Sequence, residues 1–302
     1  MLTTHELPSH RIADPECGWI DELIDVDRYP LPRPGEPAWL DLVTDVRRQL
    51  RSTGCAQLDG FIRPAAVLAM RDEIARMAQQ IPIRRHRASV YARGDAEADL
   101  SDDDPRTRRL EWFAGHVTRD MFTPFDATLQ LYVSPAVKRF VAACVGCDRV
   151  YEYADPLAGV VATVLPPGGA YPWHYDSNEF VVTIMTQAPE AGGSFEFVPD
   201  LRSPGDENLA GLHDVLTGCA DDRIRRTEMH PGDLQLFLGR YSLHRVTRTS
   251  GSAERHVAVF SYTDAPGVMG PLDRTRAVYG RVTEAHLVAA DSAEQLRDGL
   301  IR

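Results

Sequence analysis

In the stretch "YPWHYDSNEF", residues 171–180, His174 and Asp176 stand two positions apart in an otherwise aromatic run. On an extended strand, residues i and i+2 project to the same side. Both can then grip one metal ion from a single strand end. A third ligand has to come from elsewhere, and "PGDLQLFLGRYSLHRVT" delivers His244 after a turn and a β-rich run. Two histidines and one carboxylate on one face form the donor set suited to non-haem Fe(II), with positions left open for exchangeable ligands. Zinc accepts the same donors, so the three residues alone do not choose the metal. Arg255 follows in "SAERHVAVFSY", at the entrance to the next strand. A guanidinium is a rigid, bidentate partner for a carboxylate. An arginine beside such a triad suits a co-substrate that chelates metal at one end and carries a carboxylate at the other. 2-Oxoglutarate has that form.

These pieces, "WHYD", "GGSFEFVPD", "HPGDLQLFLGRYSLHRV" and "ERHVAVFSY", occur in the order found in the Fe(II)/2-oxoglutarate-dependent oxygenases, which the sequence resembles over residues ~150–265. The N-terminal "STGCAQLDGFIRPAAVLAMRDEI" is also similar to the entry of many such enzymes. "YADPLAGVV", "RYSLHRVT" and "FSYTDAPGVM" resemble most a bacterial subgroup acting on free amino acids, which contains hydroxylases and radical halogenases. The resemblance implies Fe(II) on His174, Asp176 and His244, with 2-oxoglutarate held by Arg255 and O2 as oxidant. The products would be succinate, CO2 and a hydroxylated aliphatic carbon. In the halogenases of this superfamily a small residue replaces the carboxylate and halide takes its place. Asp176 is present here, which favours hydroxylation and leaves desaturation or cyclisation open. A protein-modifying hydroxylase is a further alternative. The residue two after the arginine is often a hydroxyl that meets the same carboxylate; here it is Val257, and Thr163 and Thr183 are the candidates to replace it. Either threonine also reads as an ordinary buried β-branched residue.

For substrate contacts the sequence offers Glu152, Trp112 and His116. A carboxylate at 152 can meet an ammonium, though a strand-end charge is commonly just solvated. The aromatic segment holding Trp112 and His116 can line a pocket or fill a core. His213, His230 and His256 are not assigned as ligands, since His256 should point away from Arg255 by strand alternation.

The elements that must position these residues fall in two halves. Helical spacing is seen in "AWLDLVTDVRRQL", in "RPAAVLAMRDEIARMAQQI" with Pro64 in its first turn, and in the helix at 134–146. Residues 82–109, basic and then acidic, read as a long exposed loop and a candidate lid. From Val150 onward, short segments rich in Val, Ile, Thr, Phe and Tyr are punctuated by Gly, Pro and Asp. Many strands without intervening helices argue for an antiparallel sandwich. The fold expected is α+β: a double-stranded β-helix (jelly-roll) core with N-terminal helices packed on one sheet. It forms a single domain comprising an irregular arm at 1–36, a helical part at 37–149, the jelly roll at 150–265 and a C-terminal segment at 266–302. A helix is expected over Ser292 to Ile301, and a polar loop-plus-helix insertion over 203–227.

Composition bounds the function class. The 302 residues are 43% hydrophobic and 25% charged, ordinary values for a globular protein. A net charge of −11 and the lack of a basic patch with interleaved aromatics argue against nucleic acid and anionic membrane as partners. No apolar run approaches the roughly 20 residues that span a bilayer. The five cysteines are odd in number and scattered, and Cys144 and Cys147 lie at a helix end, so a reducing cytoplasmic setting is expected. A small, amino-acid-like molecule is the expected partner. Oligomeric state, a homodimer included, is left open.

Overall fold

The computed structural model describes residues 17–92, 100–101 and 103–290. Its strands are β1 Cys55–Leu58, β2 Arg84–Ala88, β3 Leu110–Val117, β4 Tyr151–Glu152, β5 Val160–Leu165, β6 Tyr171–His174, β7 Val181–Gln187, β8 Ala191–Gly192, β9 Phe195–Val198, β10 Arg225–Thr227, β11 Leu234–Phe237, β12 Leu243–Val246, β13 Thr249–Ser250 and β14 Arg255–Thr263. Its helices are α1 Cys17–Leu23, α2 Pro37–Thr53, α3 Pro64–Ala78, α4 Ala127–Val133, α5 Pro135–Val145, α6 Leu209–Thr217, α7 Leu272–Tyr279 and α8 Glu284–Ala290.

The strands form two main antiparallel sheets, and β8 pairs with β13 in a separate two-stranded one. The larger runs β1-β11-β7-β14-β5-β3-β2, with β4 added to β14; the smaller runs β10-β9-β12-β6. Successive side chains of a strand point to opposite faces, and this alternation sorts the large sheet. Ala162, Val164, Val182, Ile184, Ala258 and Phe260 join the helical core on the outer face. Thr163, Thr183, Gln235, Val257 and Val259 turn inward to line a cavity. The smaller sheet closes over that inner face. Phe195 packs edge-on against Phe237 at 5.0 Å, and Phe197 against Phe237 at 5.4 Å. Helices α2, α3 and α5 bury their apolar stripes, Val46, Met70, Ile74 and Phe140 among them, in the core on the outer face. This is the expected jelly roll with helices on one sheet.

One expectation needs correction, and the two chain ends add detail. Residues 84–88, read as loop, form β2, paired in register with β3 from Arg84↔Ala114 to Ala88↔Leu110. The strand was hidden because Arg85 and Arg87 point to solvent, as charges commonly do on an exposed sheet edge. Residues 93–99 and 102 of that segment lie outside the described residues. The arm is not irregular throughout, because α1 buries Ile20 in the core. In the closing segment, the helix expected at 292–301 also lies outside the described residues, while α7 and α8 form earlier, within 272–290. No helix among the described residues is long and apolar enough to cross a membrane.

Candidate metal centre

Strands β6 and β12 run antiparallel, and their register sets His244 directly opposite His174. The two rings lie with centroids 4.0 Å apart. Asp176 sits just past the end of β6, where its backbone N–H donates to the Gly239 carbonyl at 3.1 Å. Among the described residues, these three form a single group of ligating side chains whose donor atoms all lie within 4.8 Å of one another.

The hydrogen bonds around the imidazoles fix their tautomers. His174 Nδ1 lies 2.8 Å from the Pro172 carbonyl, and His244 Nδ1 lies 2.9 Å from the Ser242 carbonyl. A carbonyl only accepts, so each Nδ1 carries a proton, and in the neutral ring the Nε2 lone pair is free to ligate. Those Nε2 atoms face Asp176: His174 Nε2 is 3.8 Å from Oδ1, and His244 Nε2 is 3.5 Å from Oδ2. These separations exceed a hydrogen bond and suit three donors arranged around a common centre. Asp176 Oδ2 is buried without a hydrogen-bond partner. Backbone acceptors that orient ligating histidines in this way are a recurrent feature of metal sites.

Protonation follows the same plan. Burial, and then His244, push the His174 pKa well below its ordinary value, so its imidazole is neutral. Burial opposes ionisation of Asp176, but His244, then His174 and Arg274, outweigh it and hold the carboxyl below the usual carboxylate range. A neutral imidazole and a carboxylate are the forms that ligate.

Gly239 is a residue that sequence reasoning missed. A Cβ there would lie 1.9 Å from Asp176 Oδ2, so glycine is what lets the carboxylate occupy its place. Aromatic rings close the other sides. Trp112 lies 5.1 Å from His174, and Phe237 packs edge-on against His244 at 4.8 Å.

Arg255 opens β14 in the same cavity. It is 4% exposed, and no carboxylate among the described residues pairs with it; its buried Nε has no partner. Burial lowers its pKa to about 10, which leaves it cationic at neutral pH. A buried, uncompensated guanidinium is costly unless an anion meets it. Thr163 lines the cavity directly across from Val257, its register partner on β14. Thr183 lines it beside Val259, with its hydroxyl 3.5 Å from Gln235 Oε1. His256 turns away from the cavity and contacts Glu254 at 2.9 Å.

The substrate candidates divide. His116 reaches the cavity wall, 3.3 Å from the Tyr171 hydroxyl, and burial together with His86 and Arg84 lowers its pKa to about 3. Trp112 does not line the cavity; it stands behind His174 and supports the ring. Glu152 is corrected as well, because it lies outside the cavity and pairs with Lys138 Nζ at 2.7 Å. The wall facing the metal ligands is instead built by α7, with Arg274, Thr275, Val278 and Tyr279. Arg274 donates to the Tyr175 carbonyl at 3.0 Å and approaches Asp176 Oδ1 at 3.9 Å. The sequence signal for this wall is weak, since "LDRTRAVY" is mostly polar and carries only a short apolar stripe.

Comparison with known proteins agrees with this geometry. The Halogenase D family matches residues 40–271. No curated protein matches the chain in sequence. Among solved structures, AviO1 from Streptomyces viridochromogenes Tue57 superposes with a TM-score of 0.51 at 16% identity, covering 74% of this chain and 95% of that one. The epimerase SnoN from nogalamycin biosynthesis, determined with Fe3+, alpha ketoglutarate and nogalamycin RO, gives 0.51 at 16% identity, covering 74% and 84%. The carbocyclase SnoK from the same biosynthesis gives 0.51 at 14%, covering 73% and 83%. The family match over residues 40–271 shows that the chain belongs to the Halogenase D family, and the solved structures share its jelly-roll fold.

Proposed function

We propose that this enzyme hydroxylates an aliphatic C–H of a small molecule, an amino acid or a derivative of one, with 2-oxoglutarate as co-substrate. The observation that carries the reading is a complete triad, Asp176 included, in one cavity with a buried arginine that no carboxylate among the described residues meets. The donor set fits ferrous iron: two Nε2 atoms converge with a carboxylate whose buried Oδ2 has no hydrogen-bond partner. Bound iron would let O2 oxidise 2-oxoglutarate to succinate and CO2, one oxygen atom going to succinate and the other to the substrate carbon.

The chain's own residues bind, orient and exclude. His174, Asp176 and His244 hold the metal, and the carbonyls of Pro172 and Ser242 keep the rings aimed. Arg255 receives the far carboxylate of 2-oxoglutarate as a charge-assisted pair. The Thr163 hydroxyl, one strand over from Val257, supplies the donor that the valine lacks. Val161, Val259, Phe195 and Val246 give that half of the cavity an apolar lining that keeps water out.

The family's description favours a second reading, halogenation. Asp176 weighs against it, because the carboxylate occupies the coordination position that a halide would need, and Gly239 is shaped to receive it. The test is a screen of free amino acids and their derivatives with Fe(II), 2-oxoglutarate, O2 and chloride, following substrate-triggered succinate and product mass. The expected product gains one oxygen. A product with chlorine in place of hydrogen would overturn hydroxylation in favour of the second reading.

A further inference from the structure

Asp155 and His286 are ionisable groups that the reaction does not use, yet both are fully buried, at 1% and 0% exposure. His286 Nε2 lies 3.0 Å from Asp155 Oδ2. On the other side of the ring, Nδ1 accepts the backbone N–H of Thr283 at 3.1 Å, and the Thr283 hydroxyl is at 2.8 Å. An Nδ1 that accepts cannot carry a proton, so the proton of the neutral ring is on Nε2, which lies close to Asp155 without closing a hydrogen bond to it. Thr283 precedes α8 and His286 is its third residue, so the ring reaches back to the N-cap as a Glu or Gln does in a capping box.

The Asp155 carboxylate gathers three segments. Oδ1 accepts the N–H groups of Leu157 and Ala158 at 2.8 and 2.9 Å, which shapes the loop after β4. Oδ2 accepts the N–H of Gly270 at 3.3 Å, at the entry to α7. A Cβ on Gly270 would come within 3.1 Å of that same oxygen, so the approach is close. Ala158 and Gly270 both line the cavity, as do Arg274, Thr275 and Tyr279 of the helix that follows. The far end of α7 has a separate anchor, Arg84, which donates to the carbonyls of Ala277 and Val278 at 3.4 Å. The link between the helices has a surface tie, Arg281 to Asp120 at 2.8 Å.

We propose that Asp155 and His286 form a buried latch that holds the entry to α7 closed against the cavity and so shields the metal centre from outside reagents. The proposal rests on the reading of this cavity as the reaction chamber. The pair are positioning residues; neither lines the cavity. A buried carboxylate that accepts three backbone N–H groups is well satisfied, and loss of its acceptor geometry frees the segments it joins.

The test uses the full chain under anaerobic conditions with Fe(II) and 2-oxoglutarate. Backbone hydrogen exchange is followed by segment, and iron loss to 2,2′-bipyridine is followed by colour. In Asp155→Asn, which keeps the shape but puts a donor where Oδ2 or Oδ1 must accept, residues 268–275 exchange about tenfold faster or more, through local opening. Bipyridine removes iron faster by a similar factor, while exchange in β14 stays as in the unmodified chain. His286→Gln, whose amide N–H can still reach Asp155, shows a smaller change, and Arg281→Ala shows almost none. Unchanged exchange at 268–275 and unchanged iron loss in Asp155→Asn would overturn the latch. So would exchange that rises equally across β14, which marks general destabilisation. Absence of an iron–2-oxoglutarate absorption band in the unmodified chain would instead count against the cofactor reading, and the exchange arm would still test the latch.

Discussion

The two sides of the cavity are made differently. The metal and co-substrate side is built from paired strands, where register puts His174 opposite His244 and alternation turns Arg255 inward. The facing side is built from α7 and its entry turn, held by a few buried polar contacts and not by a continuous ladder. Strand pairing fixes each side chain through many hydrogen bonds at once, so the ligands stay within the tight tolerance that coordination demands. A helix held at its two ends can be moved, or exchanged for another sequence, without disturbing the metal. The candidate ligands are therefore fixed by the sheets, and the wall opposite them by a helix tied near its two ends.

Substitutions can break or sharpen that contrast. On the strand side the effects should be largest. His174→Ala or His244→Ala should eliminate turnover, measured as 2-oxoglutarate-dependent succinate, because the metal loses a ligand. Arg255→Ala should weaken 2-oxoglutarate binding by about 2–5 kcal/mol, the scale for a buried charge pair losing one partner; titration of the absorption band measures it. Gly239→Ala, which removes no ligand but pushes on Asp176, should lower Fe(II) affinity by roughly 10–100-fold through the displaced carboxylate, read by competition with a chelator.

Away from the ligands and Arg255 the effects should be smaller, as at His116 on β3 and Glu152 on β4. His116 has a folded-state pKa of about 3 against an ordinary 6.5. Between those values the unfolded chain binds a proton that the folded chain refuses, so stability is full above about pH 6.5 and falls as pH drops toward 3. Replacing His116 with Leu should flatten that acid-side loss in denaturant midpoints taken from pH 7 to 4. Smallest of all, Glu152→Gln should change stability by only about 0–1 kcal/mol, as befits a surface pair with Lys138. A large loss of substrate-triggered turnover in that variant would return Glu152 to the site.

Legibility in the sequence follows the same division. His174, Asp176, His244 and Arg255 are readable because strand periodicity and donor chemistry constrain both type and spacing. Gly239 is not, since its role is the absence of a side chain opposite a carboxylate 63 positions earlier in the chain, and only the folded register brings them together. β2 escaped notice because its outward arginines mask a strand as a basic loop. α7 escaped because its polar residues face a cavity and so do not produce the apolar stripe by which a helix is recognised. Glu152 looked like a substrate contact because a carboxylate on a strand near the site has no sequence mark that separates an ammonium receptor from the partner of Lys138.

The most direct test of the central claim is an anaerobic titration of the unmodified protein with Fe(II) and 2-oxoglutarate, recorded in the visible region beside His244→Ala and Arg255→Ala. The account predicts a weak charge-transfer band in the unmodified chain, no band in His244→Ala, and a band in Arg255→Ala that appears only at much higher 2-oxoglutarate. A band that persists in His244→Ala, or forms in Arg255→Ala at the same 2-oxoglutarate as in the unmodified chain, would contradict it.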